Sequence, residues 1–164
     1  DTTTTEIADH LFGGVLSAGP GRLDAIAWSE VPYVGSCGAL DMVNFGPKET
    51  VPERYRERLL YEHNPFVTLM RTSLEENEIM GAWIAEKLNR CQGPVRFLLP
   101  TEGVSMIDAL GMPFHDLAAD EVLFRTIERE VETTPNRRVT RVPHHINDSQ
   151  FADAIQDALR EVTP

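Results

Sequence analysis

Cysteine is nearly absent from this chain: two in 164 residues, Cys37 and Cys91. Two thiols so far apart make neither a disulfide framework nor a paired zinc knuckle, and the expectation is a cytoplasmic protein. Basic residues are scarce as well. Fifteen Lys and Arg stand against 26 Asp and Glu, a formal net charge of −11. That balance argues against a broad nucleic-acid-binding face and against adhesion to anionic lipid, so neither nucleic acid nor membrane is expected as a partner. No apolar run approaches the roughly 20 residues of a membrane span. Internal repeats are lacking, and the only low-complexity stretch is Thr2 to Thr5. The segment Gly14 to Gly19 has the spacing of a phosphate-binding loop, but Pro20 stands where that loop needs lysine, so the reading fails.

What is present is ordinary in bulk: 41% apolar and 25% charged residues, enough chain for one domain, residues 1–164, with a real core. Thr3 and Glu6 have capping-box spacing ahead of Ile7, Ala8, Leu11 and Phe12, and Gly13-Gly14 ends that helix. A helix over Arg22 to Glu30 leads into a strand from Val31 to Gly35. Pro52 opens a helix to about Tyr61, whose Glu and Arg side chains read as a solvated face. Phe66 to Arg71 is extended, and Thr72 with Glu75 caps a long helix with Ile79, Met80, Trp83, Ile84 and Leu88 on one side. The clearest strand is Val95 to Leu99, ended by Pro100. Asp116 caps a helix from Leu117 to about Glu132, Arg138 to Val142 is the next strand, and Asp148 caps a last helix reaching Val162.

Strands alternating with helices predict an α/β fold, a three-layer and mostly parallel sheet flanked by helices. Right-handed crossovers would place every strand-to-helix loop along one sheet edge. Four polar loops qualify: Thr2–Glu6, Gly35–Asn44, Thr101–Asp108 and Pro143–Asp148. The first reads as the end of a strand turning directly into a helix, which sets up the expectation of a strand before Asp1 and of a longer protein. Open α/β sheets bind ligands at the carboxyl ends of their strands, where these loops would lie.

Each loop carries chemistry with a plainer alternative beside it. Thr3, Thr4 and Thr5 at a helix N-terminus could cradle a phosphate or carboxylate, or simply cap the helix. Gly38, Asp41 and Asn44 sit in an apolar loop. The two polar residues suit a ribose, an amine or a metal, while Asp41 alone could cap the turn. Gly103 and Ser105 could approach an anion through the backbone, and Asp108 could touch a ligand or close its own turn. Of His144 and His145, adjacent on extended chain, at most one should face the cleft. His145 with Asn147 is the better candidate, and a nucleophilic arrangement of Cys37, His145 and Asp148 is conceivable. A hydrolase or transferase centred on His145 and a non-catalytic interaction module are the alternatives to ligand binding. No metal-ligand spacing is found.

Several stretches taken together resemble one family: Asp1 to Glu6, Gly38-Ala39-Leu40-Asp41-Met42-Val43-Asn44-Phe45-Gly46, His63-Asn64-Pro65, Leu69-Met70-Arg71-Thr72, Leu98-Leu99-Pro100, Gly103-Val104-Ser105, Pro113-Phe114-His115-Asp116 and His145-Ile146-Asn147-Asp148. It is the bacterial and plant family similar to the N-terminal part of the tomato mosaic virus resistance protein, described as ATP-binding. The resemblance implies that the chain is the second of two Rossmann-like halves. It implies ATP, with magnesium, as the ligand of a site at the strand ends facing the first half. It also implies the N-terminal domain as a partner, and a helicase-inhibitor-like interaction in the plant member; further copies of the chain are expected as partners besides.

Overall fold

The computed structural model describes residues 1–163. Its centre is the strand β5 (Val95–Pro100), all six residues of which are buried. Strand β1 (Tyr33–Ser36) pairs with one side of it and β6 (Arg137–Val142) with the other, both parallel. Residues 1–4 run beside β1 in the same direction. The Asp1 amine donates to Val34 O at 2.9 Å, Ser36 N to Asp1 O at 3.1 Å, Gly38 N to Thr2 O at 2.9 Å and Thr4 N to Gly38 O at 2.9 Å. The threonine run is thus extended chain that turns straight into α1 (Thr5–Phe12).

Side chains alternate across a strand, and β5 uses both faces. Val95, Phe97 and Leu99 enter the main core with Ile84 and Leu88 of α3 (Leu74–Asn89) and Leu123 and Ile127 of α4 (Leu117–Glu130). Leu98 faces the other way, with Val34 and Val142, onto Phe151 and Val162 of α5 (Ser149–Val162). Arg96 also points toward α5, where Glu161 holds it at 2.8 Å.

The remaining strands correct the expectation of a mostly parallel sheet. Met42–Phe45, Leu60–Asn64 and Val67–Arg71 (β2, β3 and β4) form a second, antiparallel sheet in the order β2-β4-β3. The fold is therefore mixed α/β, with one parallel and one antiparallel three-stranded sheet. The helix expected from Pro52 is a single 3-10 turn, Glu53–Tyr55, after which the chain becomes β3. Tyr55 and Leu59 keep a helical interval, but β4 offers the backbone from Leu60 onward a pairing partner, and that contact between distant segments prevails. Nor is every charge in that run merely solvated: Arg58 donates to Glu76 at 2.8 Å and to Arg71 O at 2.9 Å.

Smaller corrections have local causes. The helix expected over Arg22 to Glu30 shrinks to α2 (Asp24–Ala27), because Leu23 just before it takes a left-handed φ of 71°. The capping box of α3 is Ser73 with Glu76, one residue later than Thr72 with Glu75, because the Thr72 hydroxyl donates to Leu40 O at 2.8 Å. Ile79 lies on the exposed side of that helix. Asp116 does cap α4, accepting from Ala118 N and Ala119 N. Asp148 precedes α5, but its carboxylate turns back to accept from His145 N at 2.9 Å.

Candidate functional site

Three of the strand-end loops and the residues leading into α1 converge on one cleft of about 230 Å³, lined by Thr2, Thr3, Gly38, Ala39, Val104, Ser105, Met106, Ile146 and Asn147. Gly38 is required there. A Cβ would sit 2.3 Å from Thr2 O and 2.7 Å from the Ile146 side chain, so only glycine lets the threonine segment lie against β1. Gly103 has φ +124°, and a Cβ on it would meet His145 Cδ2 at 2.7 Å. Close packing of three chain segments sets the narrow shape of the cleft.

Of the residues expected at a site, Thr3, Gly38, Ser105 and Asn147 line this cleft. Thr4 does not: it is fully buried, its hydroxyl within 3.5 Å of Ser36 O and 3.4 Å of Gly38 O. Thr5 accepts from Asn44 Nδ2 at 2.9 Å. Asn44 and Asp41, three residues apart on a strand and its approach, point to different neighbours. The Asn44 amide nitrogens, main-chain and side-chain, donate to Asp9 Oδ1 at 2.7 and 3.2 Å. Asp9 also accepts from Leu16 N at 2.7 Å. Burial pushes the Asp9 carboxyl up, and these bonds oppose that push.

Asp41 instead reaches the loop after β5. Ser105 Oγ donates to Asp41 Oδ2 at 2.7 Å, while Oδ1 is buried with no partner. Loss of water raises this carboxyl to about 6, and the nearby Asp108 adds to the rise. Asp108 is likewise fully buried and closes its own loop by accepting from Val104 N at 2.8 Å. Beneath both lies a group that the sequence reading passed over. Arg71, at the end of β4, donates to Phe114 O at 2.8 Å, to Asp120 at 2.8 Å and to Asp108 at 3.5 Å. One guanidinium thus serves two buried carboxyl groups. Burial and the neighbouring Asp108 raise the Asp120 carboxyl, and Arg71 opposes that rise. A lone arginine closing an otherwise apolar strand was the available signal for this cluster.

The catalytic candidates do not come together. Cys37 is fully buried and burial pushes its thiol up, which leaves it without nucleophilic character. His145 has both ring nitrogens engaged: Nε2 lies 2.9 Å from Ser105 O and Nδ1 accepts from Asn147 N at 3.1 Å. A carbonyl can only accept, so Nε2 carries the proton and Nδ1 is the acceptor. Asp148 holds the His145 backbone rather than its ring. Cys37, His145 and Asp148 therefore form no nucleophile–base–acid relay. Among the described residues, no three His, Cys, Asp or Glu side chains gather in a way that could hold a metal ion.

Two further hollows flank the cleft. One, of about 270 Å³, lies toward the antiparallel sheet, against Asn44, His63, Leu69 and Ser105. The other, of about 670 Å³, lies beyond His145 and is lined by Thr101, Glu102, Ala109, Leu110, His115, Leu117, His145 and Asp148. Among the described residues, no lysine or arginine lines any of the three.

Residues 1–163 match the C-terminal domain of an uncharacterised protein family, UPF0261. The chain belongs to that family. A UPF0261 protein of Rhizobium meliloti is 57% identical over 99% of the chain, and one of Clostridium tetani 47% identical over 97%. The ToMV resistance protein Tm-1 of Solanum lycopersicum is 46% identical over the whole chain, which bears out the family resemblance carried by the motifs. The UPF0261 chain described here spans 41% and 39% of those two bacterial relatives and 22% of the tomato protein. Among the described residues, no helix is long and apolar enough to cross a membrane.

Proposed function

We propose that this UPF0261 domain binds a small molecule at the carboxyl ends of its parallel strands and forms one wall of a site that the rest of the protein completes. The observation that carries this reading is the convergence of the four chain segments on one cleft, with Thr3, Ser105 and Asn147 among its lining residues. The parallel sheet, with α5 on one face and α3 and α4 on the other, serves as a Rossmann-like three-layer unit that presents the cleft.

ATP with magnesium is the ligand that the family resemblance suggests, and the lining fits only part of it. Hydroxyl, amide and small apolar groups suit a nucleobase and ribose. A triphosphate carries several negative charges, yet the cleft has no cationic side chain, and the domain carries a net charge of −11. The magnesium likewise finds no ligand set among the described residues. In this reading the domain holds the nucleoside part, and any groups that neutralise phosphates come from outside this chain. The N-terminal domain and further copies of the chain are the partners proposed to supply them.

Titration calorimetry on the longer protein and on this domain alone separates these parts. The longer protein should bind both ATP and adenosine, and the isolated domain should bind adenosine more tightly than ATP. Absence of heat with every combination would end the nucleotide reading. An enzyme centred on His145 is disfavoured by its fully committed ring.

A further inference from the structure

The two edges of the parallel sheet are not alike. Residues 1–4 bond along β1, whereas β6 is paired on one side only, with β5. The carbonyls of Asn136 and Val142 accept from Val95 N at 2.7 Å and from Thr101 N at 3.0 Å, so the even-numbered residues turn their backbone groups toward β5. Successive residues of a strand direct these groups to opposite sides, and the odd-numbered ones turn outward. Arg137 spends its pair on Thr134, accepting at 3.0 Å and donating at 3.2 Å. Val139 and Arg141 keep theirs: among the described residues, neither the N–H nor the C=O of either has a partner.

An open row of this kind accepts another strand unless its charges keep strands away. Here those charges are already matched. Arg141 is held by Glu121 at 2.7 Å and Glu128 at 2.8 Å, and Arg138 by Glu161 at 3.2 Å. Thr140, between them, is exposed and uncharged. On that face α5 packs mainly over β1 and β5, set back from the edge.

The register selects the occupant. Antiparallel partners exchange both bonds between residues whose groups face each other, so an outward residue must meet an outward one. A second copy of β6, turned about a two-fold axis, can be centred in three ways on the open stretch. Centred on Val139, it sets Arg141 against the partner's Arg137, whose groups are taken. Centred on Arg141, it opposes like charges and sets Val139 against the partner's Pro143, which has no N–H. Centred on Thr140, it sets Val139 against the partner's Arg141 and Arg141 against the partner's Val139. Every free group on both chains is then bonded, and Arg138 faces the partner's Val142 rather than another arginine.

We propose that β6 is a dimer interface: two copies of this chain join their parallel sheets through Val139 and Arg141, antiparallel, with Thr140 on the two-fold axis. The strands of the two sheets then run in opposite directions, which puts the two strand-end clefts at opposite edges of the joined sheet. This second copy does not reach the cleft, so completing it falls to the N-terminal domain. The dimer stands or falls independently of the nucleotide reading.

Disulfide cross-linking of the intact protein tests the register. Opposed residues that share no ladder bond have Cα atoms about 4.5 Å apart, within the roughly 4.4–6.8 Å that a disulfide spans. Thr140→Cys should therefore give a covalent dimer under mild oxidation, while Arg138→Cys, also exposed but off the axis, should not. Thr140→Lys sets like charges opposite each other and should weaken the dimer about tenfold in sedimentation equilibrium, with an unchanged circular dichroism spectrum. A protein that stays monomeric at every concentration reached would overturn the proposal. So would a dimer that Thr140→Cys cross-links no better than Arg138→Cys, or one whose strength Thr140→Lys leaves unchanged.

Discussion

The two sheets of this domain are held in place by different forces. The parallel sheet is wrapped: β5 is buried throughout and meets apolar side chains on both faces. The antiparallel sheet is half wrapped. Val43, Phe45 and Met70 reach the main core, while β3 at its outer edge exposes Glu62, His63 and Asn64. What ties its inner end to the strand-end loops is polar. Arg71 bonds to Phe114 O, Asp108 and Asp120, and Thr72 N donates to Asp41 O at 3.0 Å. Apolar burial tolerates small adjustments of position. A buried charge network does not, since a lost partner leaves an uncompensated charge. The strand-end cleft sits where the two kinds of support meet, at Ser105.

Removing the polar tie should have the largest effect. Arg71→Met leaves Asp108 and Asp120 facing each other without their cation, and a loss of about 4 kcal/mol is expected from breaking a buried pair in this way. Urea denaturation measures it. A loss below 1 kcal/mol would show that the antiparallel sheet is held by its apolar face after all.

A smaller effect is expected from pH, and it sharpens the same contrast. Asp41 holds its proton up to about pH 6 in the folded chain, whereas an unfolded aspartate releases it near 3.9. Between those values the folded state binds more protons, so stability falls as pH rises through this window and levels off above it. The raised Asp9 and Asp120 carboxyls act in the same direction. Asp41→Asn should flatten the slope by on the order of 2 kcal/mol between pH 4 and pH 7, while Ser105 keeps an oxygen to bond. Comparison of urea midpoints across that range gives the answer, and an unchanged slope would place the titration elsewhere.

The smallest effect belongs to the exposed edge. Lys48 and Glu62 pair at 2.7 Å with both side chains more than half exposed. Lys48→Ala should change stability by less than about 0.5 kcal/mol, measured in the same denaturation experiment. A larger loss would mean that β3 depends on that contact.

The parallel half was largely legible before any coordinates. Val95 to Leu99 reads as a buried strand because it is apolar throughout and bounded by proline on both sides. Asp116 reads as a cap because it precedes a helical apolar pattern, and it is one. The antiparallel half was hidden. Met42 to Phe45 is four residues inside a glycine-bounded stretch, too short for a period to show. Leu60 to Asn64 sits behind a charge run with helical spacing. Pairing with β4, a contact between distant segments, made both into strands.

The stretch from Val34 to Gly46 shows the division most clearly. Its glycines and apolar spacers read as a buried loop near the strand ends, and the structure agrees: Gly38 has no room for a Cβ, and Leu40, Asp41 and Val43 have no exposed surface. Composition could not decide what its polar residues touch. Asn44 turns to Asp9 on α1, and Asp41 turns to Ser105 in a loop 64 residues on. His145 and His115 divide the same way: two histidines in polar loops, one with its ring consumed and one with a nitrogen free. Hydrogen bonding is directional and short-ranged, so which partner a buried polar group finds depends on ångström-scale placement of segments far apart in the chain. Apolar patterning is read locally; polar partnership exists only once the chain has folded.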